Sequence, residues 1–553
     1  MWWKDNEHCE KVILDGEEVE VKESRYGGND FVIEFLIRSG LMKTMERMYP
    51  NYLKQDNGKS WIALNRVQII RELMKVGRIA KVGKVIHDSS LIAVCGFNLE
   101  EIEKKAKEEK GVMIPETLSN HLNRIDKESC MYTFYDQVQY IRSKKWIRGK
   151  TYVADAHEII IQYGRKFEEL GKTGKKYGYK LVILMNIEEG RERLIGFAIA
   201  PLQVGERELL LDIFHRLEGA VAPIKEIIDL IILDRGYWGA DFLRLLKKKY
   251  RIDFVTRVRD HSLDVAQDVE GLIKLKGTEW QRIVENKKRQ GKKMQIEVEY
   301  TGIEDLWLED KEKKTKLRVN AVACNEYDMQ GNLLLDKNNN EEENEEDEEG
   351  KTEEEKQQER KKKEEEQGHI IYITSLGVSH PYRIRRFYLR RWFIENQGFR
   401  CLTQRWNLDI PAGRKINIIR ARICFVLMLY NAGAIMEMKF PEEWQKEKER
   451  LEQWGEEGML GKPALIVYTK DYRCGIFTGK RYGELVAQAS RIKYEKHLRQ
   501  QLQEAVEKGI NLEEFTKRLD TTGLRHRDHP RSPMLTTFSV IRPPILNSPC
   551  KFR

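Results

Sequence analysis

The sequence predicts an α/β protein: a mixed five-stranded sheet interrupted by a β-rich insertion, with an α-helical region before it and a helical region after it. Three observations carry this. Between residues 151 and 258, five apolar runs of strand length appear, the last three separated by helical patterns. From 262 to about 375, β-like runs stand where a closing helix is needed. On both sides of this block the apolar spacing is that of helices.

In chain order, residues 1–30 read as a polar lead-in with some strand character. From Asp30 the pattern turns helical, through Phe31, Val32, Phe35, Leu36, Leu41, Met42 and Met45, then Val67, Ile69, Ile70 and Leu73. The segment Pro115 to Ile125 suits a recognition helix, with Pro115 in its first turn and Thr117, Ser119, Asn120, His121 and Arg124 free to face DNA; it suits a surface helix of a bundle equally. At Thr151 the period changes. Tyr152 to Ala156 is a short β run ending on a carboxylate, Tyr179 to Ile187 a second strand, and Leu194 to Ala200 a third. A helix from Glu206 to Leu217 follows, then a buried strand, Ile227 to Leu233, running into Asp234-Arg235-Gly236-Tyr237-Trp238. Helix Ala240 to Lys249 and strand Ile252 to Val258 complete the series. Three consecutive strands, then helix, strand, helix, strand, is the order of a ribonuclease-H-like mixed sheet.

The insertion shows β-like runs at Met294 to Tyr300, Lys316 to Cys324 and His369 to Ser375. Its stretch Asn338 to Gln367 is almost wholly Glu, Lys, Asn and Gln, and cannot bury enough apolar surface to order itself. A helix opening at Pro381 and extending towards Trp406 follows, then a second from Lys415 to Met438 whose apolar face should pack under the sheet. Beyond Pro441 the chain is charged and helical (Glu442 to Trp454, Tyr482 to Lys508), with a basic tail from Arg525. The divisions are therefore 1–149, helical and DNA-binding; 150–261, the first part of the core; 262–375, the insertion with acidic loop 338–367; 376–440, the second part of the core; and 441–553.

Charge points to an anionic partner. The net charge is +9, but residues 341–366 hold 15 acidic and 6 basic side chains, leaving 92 basic against 74 acidic elsewhere, or +18. A body that basic suits nucleic acid, through counterion release. The eight cysteines form no CxxC pair and no zinc-ligand spacing, so neither a zinc finger nor a disulfide framework is indicated. The N-terminus turns polar too early for a signal peptide, and the run Ile423 to Met436 is short of the ~20 residues that span a bilayer, so it reads as a buried helix and no membrane association is expected.

Three acids from distant parts of the chain carry the chemistry. Asp155 and Asp234 each sit at the end of an apolar run, and those runs are neighbours in the predicted sheet. Tyr388, Arg391 and Glu395 fall at i, i+3 and i+7, on one helix face. Carboxylates are hard oxygen ligands suited to Mg²⁺ or Mn²⁺, and two such ions ~4 Å apart can stabilise both oxygens of an in-line phosphoryl transfer. Each acid also has an ordinary reading, as a strand end, a turn or an exposed ion pair; the combination is what is specific. Gly171 to Lys176 lacks the GxxxxGK[ST] spacing of a phosphate loop and reads as a basic hairpin presenting Lys175 and Lys176 to DNA.

These segments, with Asp234-Arg235-Gly236-Tyr237-Trp238 and the Tyr388-x2-Arg391-x3-Glu395 spacing, resemble the DDE transposases of bacterial insertion sequences, in the subgroup with a β-rich insertion and a Tyr-Arg-Glu-Lys signature. The resemblance covers roughly Lys150 to Met438. It implies Asp155, Asp234 and Glu395 as catalytic, metal-holding acids, two divalent Mg or Mn ions, and phosphate contacts from Tyr388 and Arg391. It also implies a homodimer acting on double-stranded DNA, both terminal inverted repeats and target, in the cytoplasm at the nucleoid. The family's Lys falls seven residues after the Glu, which is Leu402 here; Arg400 and Arg405 lie nearby at another helical phase. Some members stack a flipped base on a Trp near the insertion, and Trp238, Trp280 and Trp307 are candidates, each also readable as a core residue. Two other functions share these residues: a ribonuclease-H-fold nuclease that does not join strands, and an inactive, domesticated DNA-binding protein, to which Leu402 points.

Overall fold

The computed structural model describes residues 3–24, 30–49, 60–83, 95–97, 113–162, 166–188, 192–258, 263–275, 278–289, 292–310, 314–331, 333–334, 369–442, 445, 464–471, 473–511 and 513–515. The acidic loop 338–367, most of the predicted helix 442–454 and the tail from Arg525 lie outside them. The chain forms two compact units, one of residues 1–46, 52–121 and 450–553, the other of 47–51 and 122–449.

The first unit draws on both ends of the chain. Strands Trp3–Lys4, Arg473–Thr478, Ala464–Tyr468 and Glu20–Ser24 form one sheet in that order. Helix Asn6–Leu14, capped by the Asp5 side chain, buries Cys9, Val12 and Ile13 with Val467, Phe477 and Leu485. The expected helices are present at Asp30–Arg38, Leu41–Glu46 and Trp61–Leu73, and they bury Val32, Leu36, Met45, Val67 and Leu73 as their spacing requires. The terminal regions differ from the sequence reading, which held 1–149 and 441–553 apart and expected only helix in the latter. A hairpin precedes helix Gly479–Glu507, and its pairing with Glu20–Ser24 joins residues over 400 positions apart, which local periodicity cannot register. The helix Pro115–Asn123 forms, but His121 does not face outward: it is 2% exposed and its Nε2 lies 2.8 Å from Asn65 Oδ1. Asn120 and Arg124 are exposed.

The second unit is built on a mixed sheet. After helix α1 (Lys127–Ser143) come β1 (Thr151–Ile160), β2 (Gly171–Thr173), β3 (Lys176–Asn186) and β4 (Arg193–Pro201). Helix α2 (Glu206–Ala220), β5 (Leu230–Leu233), α3 (Ala240–Leu245), β6 (Asp253–Arg257) and α4 (Asp264–Leu275) follow. Strands β1, β3 and β4 pair antiparallel, whereas β1, β5 and β6 pair parallel, giving the lateral order β4-β3-β1-β5-β6. This is the ribonuclease-H-like arrangement that the element order predicts. The parallel strands are wholly apolar where helices cover both faces: Leu230 to Leu233 are all buried.

The insertion does not stand apart as a subdomain. Strands β7 (Gln281–Arg289), β8 (Lys292–Asp310), β9 (Thr315–Asp328) and β10 (Ile370–Thr374) continue the same sheet, with β10 antiparallel to β6 and then β9, β8 and β7 outward. Without β10 the edge of β6 would expose unpaired backbone groups. Helix α5 (Pro381–Leu389) has Pro381 in its first turn; beyond it a π-helical turn, Ile394–Phe399, leads into α6 (Arg400–Gln404). The predicted helix from Pro381 towards Trp406 is therefore interrupted. Helix α7 (Ile416–Lys439) is the one described helix long and apolar enough to cross a membrane, and 89% of its apolar window is buried within the protein. Buried Asn431 explains why it belongs there: its amide spans the β4 backbone, accepting from Leu194 N–H and donating to Leu194 C=O.

Candidate active site

Asp155 and Asp234 meet where the parallel pairing stops. The β1–β5 ladder ends at Ala154 opposite Leu233, so the next residue on each strand is one of the acids. Asp155 does not end its strand as the sequence suggested: β1 runs on to Ile160, held by β3 alone, and the acid is flanked by unpaired space on its β5 side. A crevice at the carboxyl ends of parallel strands is where α/β sheets expose functional groups. Asp155 shares its face with Ile183 across the β1–β3 pair, and Ile183 also lies against Gly398 of the π-helical turn, so this face looks towards Glu395.

Arg391 joins the three acids. Its Nη1 donates to Asp155 Oδ2 at 3.3 Å and to Glu395 Oε1 at 2.5 Å, and its Nε is 3.6 Å from Asp234 Oδ1. Its side chain is 11% exposed, and its guanidinium carbon lies 5.9 Å from the Tyr388 ring centroid and 5.5 Å from that of Trp392. Tyr388 donates its hydroxyl to Asp234 Oδ1 at 3.3 Å. The structure thus brings five of the predicted site residues together, across a separation of 236 positions between Asp155 and Arg391.

Electrostatics follow from this packing. Burial pushes the Asp155 carboxyl up to about 7; the Arg391 guanidinium pulls it back down, while Asp234 and Glu395 push it up. Burial also pushes the Tyr388 phenol up to about 12, with Asp234 adding to the effect. Burial disfavours the Arg391 charge, yet the surrounding groups, Asp234 foremost, hold its proton more tightly than usual. Among the described residues no three His, Cys, Asp or Glu side chains stand close enough to hold one ion. The donor type, carboxylate oxygen, suits a hard divalent cation, and the positive charge facing the three acids is the Arg391 guanidinium.

The remaining candidates are distributed around this centre. Trp238 follows the Asp234 turn and is partly exposed; Arg235–Tyr237 form a 3-10 turn that begins at Asp234. Leu402 is fully buried, so the signature's last position belongs to the core. Arg400 is exposed, its backbone N–H donates to the Glu395 carbonyl, and its Nε donates to Gln404 Oε1 at 3.2 Å. The i to i+5 step of the π turn sets Arg400 one turn beyond Glu395. Arg405 is half-buried, with Nη1 3.8 Å from Cys401 Sγ. Lys175 and Lys176 are exposed on the β2–β3 hairpin, where Gly174 takes φ +56° and Lys176 lies 3.5 Å from Glu158. No tryptophan candidate is in the core: Trp307 on β8 is 52% exposed, and Trp280 is stacked on His369.

Sequence reasoning missed the anchor of the signature helix. Arg385 on α5 is 1% exposed and ion-paired to Glu285 of β7 at 2.5 Å and Glu326 of β9 at 2.7 Å; the Tyr382 hydroxyl also bonds Glu285. Charge-assisted pairs of this kind have directional geometry, so the insertion fixes the helix that delivers Tyr388 and Arg391. The i, i+3 spacing of Tyr382, Arg385 and Tyr388 on one face was the available signal.

The Transposase DDE domain model matches residues 149–432, just over half of the chain, and covers all three acids, the insertion, α5, α6 and the first two thirds of α7. No curated protein matches the chain. With a ribonuclease-H-like sheet and the Asp155, Asp234 and Glu395 constellation within the matched span, the chain belongs to the DDE transposase family.

Proposed function

We propose that this transposase binds the ends of its element and catalyses metal-dependent DNA strand cleavage and transfer by in-line phosphoryl transfer. The observation that carries the reading is the convergence of Asp155, Asp234 and Glu395 on one guanidinium, from strand, strand end and π turn. Asp155, Asp234 and Glu395 would hold the divalent ions, Mg²⁺ or Mn²⁺, expected to be two. The chemistry such ions would supply is activation of the nucleophilic oxygen and charge stabilisation of the leaving oxygen. Arg391 and Tyr388 would contact the scissile phosphate, to which a guanidinium presents paired donors. The site's own contribution is positioning and charge compensation.

The basic body, the Lys175–Lys176 hairpin, Arg405 and Trp238 support duplex DNA as partner, with terminal inverted repeats and target engaged by a homodimer in the cytoplasm at the nucleoid. Arg400 takes the role of the signature lysine. Its place one π turn from Glu395 supports this, and argues against the domesticated, inactive reading that Leu402 raised. A nuclease that cuts without joining is separated from a transposase by a strand-transfer assay with a precut element end: joined product is expected, and hydrolysis alone refutes the transfer step.

A further inference from the structure

Side chains alternate along a strand, so Asp155, His157 and Ile159 stand in a row on one face of β1. Each meets a successive part of the segment that delivers Glu395. Asp155 accepts from Arg391 at 3.3 Å, and Ile159 lines a small cavity with Leu408, Ala412 and Ile419. Between them the His157 ring stacks on Phe399, with centroids 5.1 Å apart and planes inclined by 26°. Phe399 is the last residue of the π turn and Glu395 the second, so the imidazole packs on the far end of the turn that carries the third acid.

The turn has little helical preference of its own: Gly398 lies inside it, and α6 beyond it is five residues long. Its fixed points come from side chains around it. Arg391 bonds Glu395 near its start, the Tyr430 hydroxyl of α7 donates to the Gln397 carbonyl at 3.1 Å, and His157 covers Phe399 at its end. The imidazole is oriented in turn by Asp409, whose Oδ1 lies 2.7 Å from its Nε2. The chain around Asp409 is anchored by buried Arg422 of α7, which donates to the carbonyls of Trp406, Asn407, Leu408 and Ile410. The His157 and Asp409 side chains are 25% and 47% exposed, so their pairing adds little to global stability. Its effect is local, setting the plane of a ring that must lie against Phe399.

We propose that His157 is a positioning residue: stacked on Phe399 and oriented by Asp409, it sets the π turn so that Glu395 stays with Asp155 and Asp234 while Arg391 contacts the phosphate. This rests on the function proposed above. The test joins a measurement made without metal or DNA to one of turnover. In EDTA, hydrogen exchange of full-length His157→Ala, read by mass spectrometry, should be faster by about tenfold or more in peptides covering Ile394 to Phe399 and unchanged in those covering Leu230 to Leu233. With Mg²⁺ and a duplex carrying the terminal repeat, this variant should cut about tenfold or more slowly at saturating DNA, with half-saturating DNA within about twofold of wild type. Asp409→Ala should show the same pattern more weakly, and Asp409→Asn, whose amide oxygen still accepts from the imidazole, should recover most of the loss. The His157→Ala, Asp409→Ala double variant should cut no more slowly than His157→Ala, because Asp409 acts through the ring. Wild-type exchange in the turn or wild-type cutting by His157→Ala overturns this proposal and leaves the function standing. So does faster exchange spread equally to Leu230 to Leu233, or a loss in Asp409→Ala that Asp409→Asn does not recover. No Mg²⁺-dependent cutting by wild type overturns both.

Discussion

Replacing Asp155 by Asn should stabilise the metal-free protein. The Asp155 side chain is 13% exposed, and its carboxyl is pushed from the ordinary 3.8 to about 7, first by burial and then by Asp234 and Glu395, with Arg391 opposing. A carboxyl raised on folding binds its proton more tightly in the native state, so native stability falls as pH rises from the unfolded value through about 7, and the whole penalty is present above that. At 1.36 kcal/mol per pKa unit the ceiling is roughly 4 kcal/mol, and relaxation around the charge leaves about 1–3 kcal/mol. Asn keeps the shape and removes the charge. In EDTA at pH 8, urea unfolding followed by tryptophan fluorescence should show Asp155→Asn the more stable by that amount, with the gap closing as pH falls towards 4. Added Mg²⁺ should then stabilise wild type alone, since only it gains ligand-linked stability. A variant less stable than wild type at pH 8, or a gap independent of pH, would mean that Asp155 is a satisfied structural partner of Arg391 and would refute the reasoning.

Other consequences are as specific. Arg385→Ala leaves Glu285 and Glu326 without their buried partner and should cost about 3–5 kcal/mol, seen as a lowered unfolding midpoint. Leu402→Lys restores the family's residue in sequence but buries an ammonium at a position with 0% exposure; it should destabilise by about 3 kcal/mol or more and not raise activity. Arg400→Ala should leave stability within about 0.5 kcal/mol and reduce the salt dependence of DNA binding by close to one phosphate contact, a slope change of about 0.9 in a log–log titration.

The core of the fold was legible because parallel strands buried on both faces write themselves as apolar runs: Leu230 to Leu233 and Phe254 to Thr256 are buried throughout. Strand β7 was not, because Gln281 to Arg289 is an edge strand whose side chains are mostly polar, giving no apolar alternation to read. That the insertion extends the core sheet depends on β10 pairing with β6, a contact no local pattern encodes. At the candidate site, acids at the ends of two apolar runs and the Tyr388-x2-Arg391-x3-Glu395 spacing singled out Asp155, Asp234, Tyr388, Arg391 and Glu395, and the fold brings these five together. The π turn was hidden: local periodicity assumes 3.6 residues per turn, so nothing in the spacing showed that Arg400 stands one π turn beyond Glu395.

The central claim is that the three acids perform metal-dependent chemistry on DNA, and the most direct measurement is cleavage of a duplex carrying the element's own terminal repeat. With Mg²⁺, the wild-type protein should nick at the element boundary, and EDTA should abolish this. Asp155→Ala should bind the same duplex with affinity within a few fold and produce no cleavage. Equal cleavage by wild type and Asp155→Ala, or no cleavage of the terminal repeat by wild type in Mg²⁺ or Mn²⁺, would contradict the account.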